Sequence, residues 1–250
     1  MKLIIKENAR ELGAAAGSAV ASIIKEAIDS KGEATVILAT GASQFETLAQ
    51  LVKETAIDWG KVTMFHLDEY IGLPPTHPAG FRKYLQERFI DKVIPLKSIH
   101  LIDGEADPQQ ECTRLEKLIK DLQVDVTLVG IGENGHLAFN DPPADIETVK
   151  PFIVVDLDEN CRKQQVNEGW FKEVDDVPRQ AISISIHQIM KSKHIVCSVP
   201  DARKATAVEH CLTDEINNMN PSGFLRKHPC CQMYLDKHSA SLLQNVPDMV

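Results

Sequence analysis

The sequence predicts an α/β fold, a doubly wound and mostly parallel Rossmann-like sheet flanked by helices, with a lid segment near residues 142–177. Three observations predict it. Short apolar runs recur, and their lack of alternation marks strands buried on both faces. Helical stretches separate these runs, as βαβ units require. Glycine-rich or polar segments follow three of the runs, at the carboxyl ends where such sheets hold ligands.

Taken in order, Met1 to Lys6 reads as a first strand and Glu7 to Ser30 as a long helix with Ala- and Ile-rich apolar positions. The run from Ala34 to Ala39 is a buried strand, followed by a helix near Gln44 to Thr55. Val62 to Leu67 is a second buried strand, and Gly80 to Val93 is helical. Ser98 to Ile102 is a short strand. Pro108 opens a helix that runs to Leu122, in the first-turn position that suits proline. Val124 to Val129 is a third apolar strand. Further on, Ala181 to Ser185 and His194 to Val199 read as strands, Ala202 to Cys211 as a helix, and Gln232 to Leu235 as the last strand. The stretch from Pro142 to Val177 is less regular and carries a polar helix around Glu159 to Glu168. It reads as a lid or as a plain surface excursion. There is no repeat, no low-complexity tract and no linker, so residues 1–250 read as a single domain.

The bulk composition narrows the function. The 250 residues are 43% hydrophobic and 25% charged, an ordinary globular balance. A net charge of -9 argues against binding a nucleic-acid backbone. No apolar run approaches the roughly 20 residues of a membrane span, and the first six residues meet charge too soon to act as a signal peptide. The six cysteines include no CxxC pair, which suits free thiols in a reducing cytoplasm. A small anionic ligand is compatible with all of this, and self-association into a homo-oligomer is left open.

Three strand ends carry chemistry. Thr40-Gly41-Ala42-Ser43-Gln44 joins a buried strand to a helix; its small residues let backbone N–H groups and two hydroxyls approach an anion. A plain N-cap turn on Ser43 is the alternative. Asp68 and Glu69 end the second strand. Alternation along an extended chain turns them apart, so one can reach a pocket as a general base while the other anchors structure. The third segment runs from Gly130 to Asp141. Gly130, Gly132 and Gly135 mimic a dinucleotide fingerprint, but His136 and the Phe139-Asn140-Asp141-Pro142 ending break any long helix after it. The better reading is a glycine-shaped loop that presents His136, with Asn134 and Asp141 near enough to orient the ring for proton transfer. No metal-ligand spacing and no nucleophile elbow stands out.

Together these segments resemble the glucosamine-6-phosphate deaminase (isomerase) family, sister to 6-phosphogluconolactonase. The most specific pieces are Leu67-Asp68-Glu69-Tyr70-Ile71-Gly72-Leu73 and Gly130 through Asn140. The lactonase family usually follows the histidine with Thr-Ala-Ser-Leu-Phe-Pro; Leu137-Ala138-Phe139-Asn140 favours the deaminases. The resemblance implies a cofactor-free conversion of an amino-sugar phosphate such as glucosamine 6-phosphate to a ketose phosphate and ammonia; a 6-phosphogluconolactonase-like hydrolase, a galactosamine-6-phosphate isomerase and a non-catalytic sugar-phosphate-binding protein are the alternatives. His136 would move a proton at the ring oxygen, and Asp68 would carry the C2 proton to C1. Thr40, Gly41, Ala42, Ser43 and Lys204 would hold the phosphate, and Gly132 and Gly135 would join them in binding the substrate. Asn134 and Asp141 stand where the family flanks its histidine with Asp and Glu. One position departs: Gly169, in Asn167-Glu168-Gly169-Trp170-Phe171, stands where the family carries a phosphate-gripping arginine. Either Arg162, Lys163, Arg179 or Arg203 then compensates, or the substrate differs.

Overall fold

The computed structural model describes residues 1–243. A seven-stranded, wholly parallel sheet forms its centre: β1 (Lys2–Lys6), β2 (Ala34–Leu38), β3 (Val62–His66), β5 (Ser98–His100), β6 (Val126–Val129), β9 (His194–Val199) and β10 (Cys231–Asp236). The spatial order is β1-β10-β9-β6-β2-β3-β5. Every residue of β2, β3 and β6 is buried, which is why those runs lack alternation.

The helices cover this sheet: α1 (Ala9–Lys31), α2 (Phe45–Leu51), α3 (Phe81–Leu85), α4 (Asp91–Val93), α5 (Pro108–Ile119), α6 (Glu159–Asn167), α7 (Ile186–Met190) and α8 (Ala205–Thr213). Local chemistry sets several boundaries. Asn8 caps α1 by accepting from Glu11 N at 3.0 Å, Asp107 caps α5 with Pro108 just inside, and Asp158 caps α6. The long helix expected over 80–93 is helical throughout but not uniform. A π-turn over Gln86–Ile90 separates α3 from α4.

A second, three-stranded antiparallel sheet departs from the expected pattern. It comprises β4 (Asp68–Tyr70), β8 (Gln180–Ile184) and β7 (Phe152–Asp156), in the order β4-β8-β7. The run at 181–184 thus leaves the main sheet, and part of the stretch expected as a lid is the strand β7. Its Phe152-Ile153-Val154-Val155 run is strongly β-forming; flanking prolines and acidic residues obscure it in the sequence. Within 142–177, the segment that covers the pocket is α6 and its flanks. Among the described residues no helix is long and apolar enough to cross a membrane.

The chain leaves β2 toward β3 on one side and leaves β6 toward β9 on the other. The carboxyl ends of β2 and β6 therefore flank the switch point of the sheet, where a crevice must open.

Candidate active site

A cavity of about 560 Å³ fills that crevice. Its wall is built from the carboxyl ends of β2, β3, β6, β9 and β10, with α6 laid across the top.

At one end stands Asp68, only 6% exposed. Among the described residues nothing donates a hydrogen bond to its carboxylate. Phe81 and Phe139, stacked at 5.7 Å, wall the cavity beside it and belong to an apolar cluster with Tyr70, Cys161 and Phe171. This burial pushes the Asp68 carboxyl well above the usual range, and the neighbouring Glu69 charge pushes the same way. Glu69 points the opposite way, as strand alternation demands. It accepts from the backbone N–H groups of Tyr70, Phe81 and Arg82 at 2.9, 3.1 and 2.7 Å, tying β4 to the start of α3. The adjacent carboxylates thus divide their roles, one to the pocket and one to the frame.

Across the cavity lies His136. Its ring rests on the backbone of Gly132, where an added Cβ would stand 2.2 Å from Cε1; only glycine fits there. Gly132 N donates to His136 O at 3.0 Å, which closes the loop. His136 Nδ1 lies 2.9 Å from Asp141 Oδ1, an ion-pair distance off the straight hydrogen-bond line. With Nδ1 turned to Asp141, Nε2 is the ring nitrogen available to the cavity. Asn134 donates its amide to Asp141 Oδ1 at 2.9 Å and accepts from His136 N at 3.1 Å, so it braces both partners. Burial pushes the Asp141 carboxyl upward, but its contacts with His136, Asn134 and Cys161 outweigh this and hold it below the ordinary range. Asn140 pins the loop to the second sheet by donating to Leu137 O and Ile184 O, each at 2.8 Å.

Cys161 completes this corner from α6. Ligand atoms of His136, Asp141 and Cys161 come within 4.8 Å of one another, the spacing of a small metal site that no sequence pattern announces. Burial pushes the thiol far up, so it stays protonated, and Asp141 is already shared between Asn134 and His136. The trio reads as a polar cluster behind the imidazole, braced by the Asn134–Asp141 hydrogen bond.

The other end of the cavity holds Thr40, Gly41, Ala42 and Ser43, with Gly41 at φ 88° and Ala42–Gln44 coiled into a 3-10 turn. The two glycine loops nearly touch: a Cβ on Gly130 would stand 2.9 Å from Ser43 Oγ. Lys204 faces them from a 3-10 turn over Ala202–Lys204, not from the helix expected there; α8 begins one residue later. Its ammonium is buried, which depresses its pKa against the opposing pull of Glu168 and Glu133.

The structure brings together around one cavity Asp68, His136, Thr40, Gly41, Ala42, Ser43, Gly132 and Lys204. Asn134 and Asp141 do not line the cavity; they act on it through His136. Gly135 also lies off the wall and turns the loop at φ 84°. Of the four expected substitutes for the arginine, only Arg203 lines the cavity. Arg162 donates to the carbonyls of Val174 and Val177, Lys163 pairs with Glu159 at 2.6 Å, and Arg179 lies outside the wall.

Sequence reasoning missed Gln164, Gln165 and Glu168, which α6 and its carboxyl end present to the cavity. Their spacing was a usable signal. Cys161, Gln164, Gln165 and Glu168 recur at helical intervals on one face of an otherwise polar helix.

The comparisons with known proteins identify the family and the fold. The family model for glucosamine-6-phosphate isomerases/6-phosphogluconolactonase matches residues 7–233. A glucosamine-6-phosphate deaminase of Exiguobacterium sp. is 38% identical over 221 residues, covering 88% of this chain and 85% of that protein. One from Halothermothrix orenii is 35% identical over 249 residues, covering 97% and 100%. A solved structure described as a monomeric glucosamine-6-phosphate deaminase superposes with a TM-score of 0.87 at 32% identity, covering 97% of this chain and 100% of that one. A 6-phosphogluconolactonase from Thermotoga maritima superposes at 0.78 with 15% identity over 94% and 99% of the two chains, a likeness of fold alone. The chain belongs to the glucosamine-6-phosphate isomerase/6-phosphogluconolactonase family.

Proposed function

We propose that the chain is an enzyme that converts glucosamine 6-phosphate to fructose 6-phosphate and ammonia. One observation carries the reading: a buried carboxylate without a hydrogen-bond partner, Asp68, shares one small cavity with a braced imidazole, His136. Isomerisation needs two proton-moving groups on one substrate, and no redox centre. His136 Nε2 moves a proton at the ring oxygen as the pyranose opens. Asp68 takes the C2 proton and returns it to C1. The C2 amine is then an iminium; water adds at C2 and ammonia leaves, giving the ketose. The raised pKa of Asp68 makes it a stronger base once ionised, and the substrate's own ammonium beside C2 favours that ionised form. The phosphate lies between the Thr40–Ser43 loop and Lys204. Asn134 and Asp141 serve as positioning residues that hold the ring tautomer.

The residues that line the cavity come from segments spread between Ala9 and His238, which fits a single domain. A cytoplasmic setting suits a phosphorylated substrate and six free cysteines. The test is a coupled assay. Stoichiometric ammonia and fructose 6-phosphate from glucosamine 6-phosphate are expected. Hydrolysis of 6-phosphogluconolactone without ammonia release from the amino sugar would overturn the reading.

A further inference from the structure

The phosphate end of the cavity is crowded with negative charge. Two cations, Lys204 and Arg203, stand among three carboxylates, Glu168, Glu133 and Asp201. Lys204 Nζ lies 3.7 Å from Glu168 Oε1 and 3.9 Å from Glu133 Oε1. Arg203 is held by Asp201 at 2.9 Å and faces Glu133 at 3.7 Å. A subsite built only to attract a dianion would not surround its buried lysine in this way.

Glu168 is the carboxylate that matters, because its position is fixed. It lies at the carboxyl end of α6, on the cavity wall, with a side chain 10% exposed. Gln164 donates to its Oε1 at 2.8 Å, and the Trp170 indole N–H donates to its Oε2 at 3.3 Å. Gln164 also accepts from Glu133 N at 3.3 Å, which ties α6 to the loop of His136. Any tetrahedral anion that reaches Lys204 therefore meets an aligned acceptor beside its donors. Two oxygens that both carry charge repel at that distance. If one carries a proton, the contact becomes a short charge-assisted hydrogen bond.

We propose that Glu168 is a specificity-determining residue that makes this end of the cavity require a proton on its anionic ligand. It accepts a hydrogen bond from a P–OH while Lys204 and the Thr40–Ser43 loop donate to the remaining oxygens. The complex holds one proton between Glu168 and a phosphate oxygen; a phosphate monoester, mostly without that proton at pH 7, takes it up from solvent on binding. A hydrogen phosphate is taken; a tetrahedral anion with no proton, such as sulfate, is refused. This rests on the phosphate reading of the pocket and adds the carboxylate that selects among anions there.

The experiment compares sodium phosphate with sodium sulfate as ligands of the whole chain at pH 7 and matched ionic strength, by titration calorimetry and thermal shift. Inorganic phosphate carries at least one proton at that pH and sulfate carries none. Wild-type protein is expected to bind phosphate at least about tenfold more tightly than sulfate, since a tenfold ratio needs only one such contact to change sign. Glu168→Gln, which offers a donor in the same shape, should bring the two anions within about threefold. Because the ratio is measured within each protein, a loss of stability in the variant does not alter its meaning. Glu168→Ala gives a second variant with no acceptor, and it too should lose the preference. Lys204→Ala should abolish the phosphate response and so places the anion. Equal affinity for the two anions in wild-type protein, or an undiminished preference in both Glu168 variants, would overturn the proposal. Absence of any phosphate response in wild-type protein would overturn it together with the phosphate reading. Absence of ammonia release from glucosamine 6-phosphate, with the phosphate preference intact, would remove the substrate assignment alone.

Discussion

The two ends of the cavity solve opposite electrostatic problems. At the sugar end a single carboxylate, Asp68, is walled by Phe81 and Phe139 and receives no hydrogen bond from the described residues, so burial, helped by the Glu69 charge, sets its basicity. At the phosphate end five charged groups offset one another, and ion pairing sets what each can bind. On the proposed reading, reactivity comes from a charge left unpaired, and selectivity from charges that are paired and must be exchanged. The same division appears in the frame. His66, two residues before Asp68 and fully buried, is pushed down to about 3 by burial and stays neutral, accepting from Ile102 N at 2.8 Å. It is a structural histidine, whereas His136 keeps one nitrogen for the cavity.

The largest effect should come from breaking the sugar end. Asp68→Asn removes the base and should lower kcat by about 10²–10⁴-fold while changing KM little. The same variant should be more stable than wild type, and the gain should depend on pH. The folded-state pKa of Asp68 is raised, so the folded protein binds this proton more tightly than the unfolded chain. The stability it contributes is fully present below the usual carboxylate range and is lost as pH rises through the raised value. Asparagine escapes that loss, so thermal unfolding should show a larger advantage at pH 8 than at pH 5. An Asp68→Asn protein that turned over normally, or that was equally destabilised at both pH values, would break the contrast between the two ends.

Breaking the phosphate end should act on binding. Lys204→Ala removes a charge-assisted contact worth about 1.5–3 kcal/mol, which corresponds to a KM raised roughly tenfold to a hundredfold. Measured kcat should stay within about threefold, because the reacting carbons lie at the other end. A kcat loss as large as that of Asp68→Asn, with KM unchanged, would place Lys204 in the chemistry.

How much of this was legible in the sequence follows from which forces act locally. The parallel strands β2, β3 and β6 were legible because burial on both faces leaves an unbroken apolar run. Asp68 and His136 were legible because each follows such a strand at a glycine or a polar break. The second sheet was not, since β4 has only three residues, the β-forming run of β7 is obscured by its flanks, and its pairing with β8 is a long-range contact. Cys161 and Glu168 were hidden for a related reason. They sit on a helix whose polar face looks solvated until the fold lays it over the cavity.

Gly169 is where the sequence comparison and the structure differ in meaning, and it supplies the smallest test. In the sequence the resemblance sets it where a phosphate-gripping arginine is expected. In the structure it follows the end of α6 at φ 81°, where glycine ends a helix at no steric cost, and it does not reach the cavity wall. An added Cβ meets nothing within 4 Å, so space does not exclude an arginine there; backbone conformation does. Gly169→Arg should therefore cost about 1 kcal/mol from the left-handed conformation, lowering Tm by roughly 2–4 °C for a chain of this size. KM should stay within about twofold, because the new guanidinium would start outside the cavity and Glu168 would still hold Lys204. A KM lowered tenfold or more would show that an arginine at this position does reach the anion. The phosphate end would then be one substitution away from the family's usual solution, and its difference from the sugar end would lie in that one residue rather than in the ion pairs around Lys204.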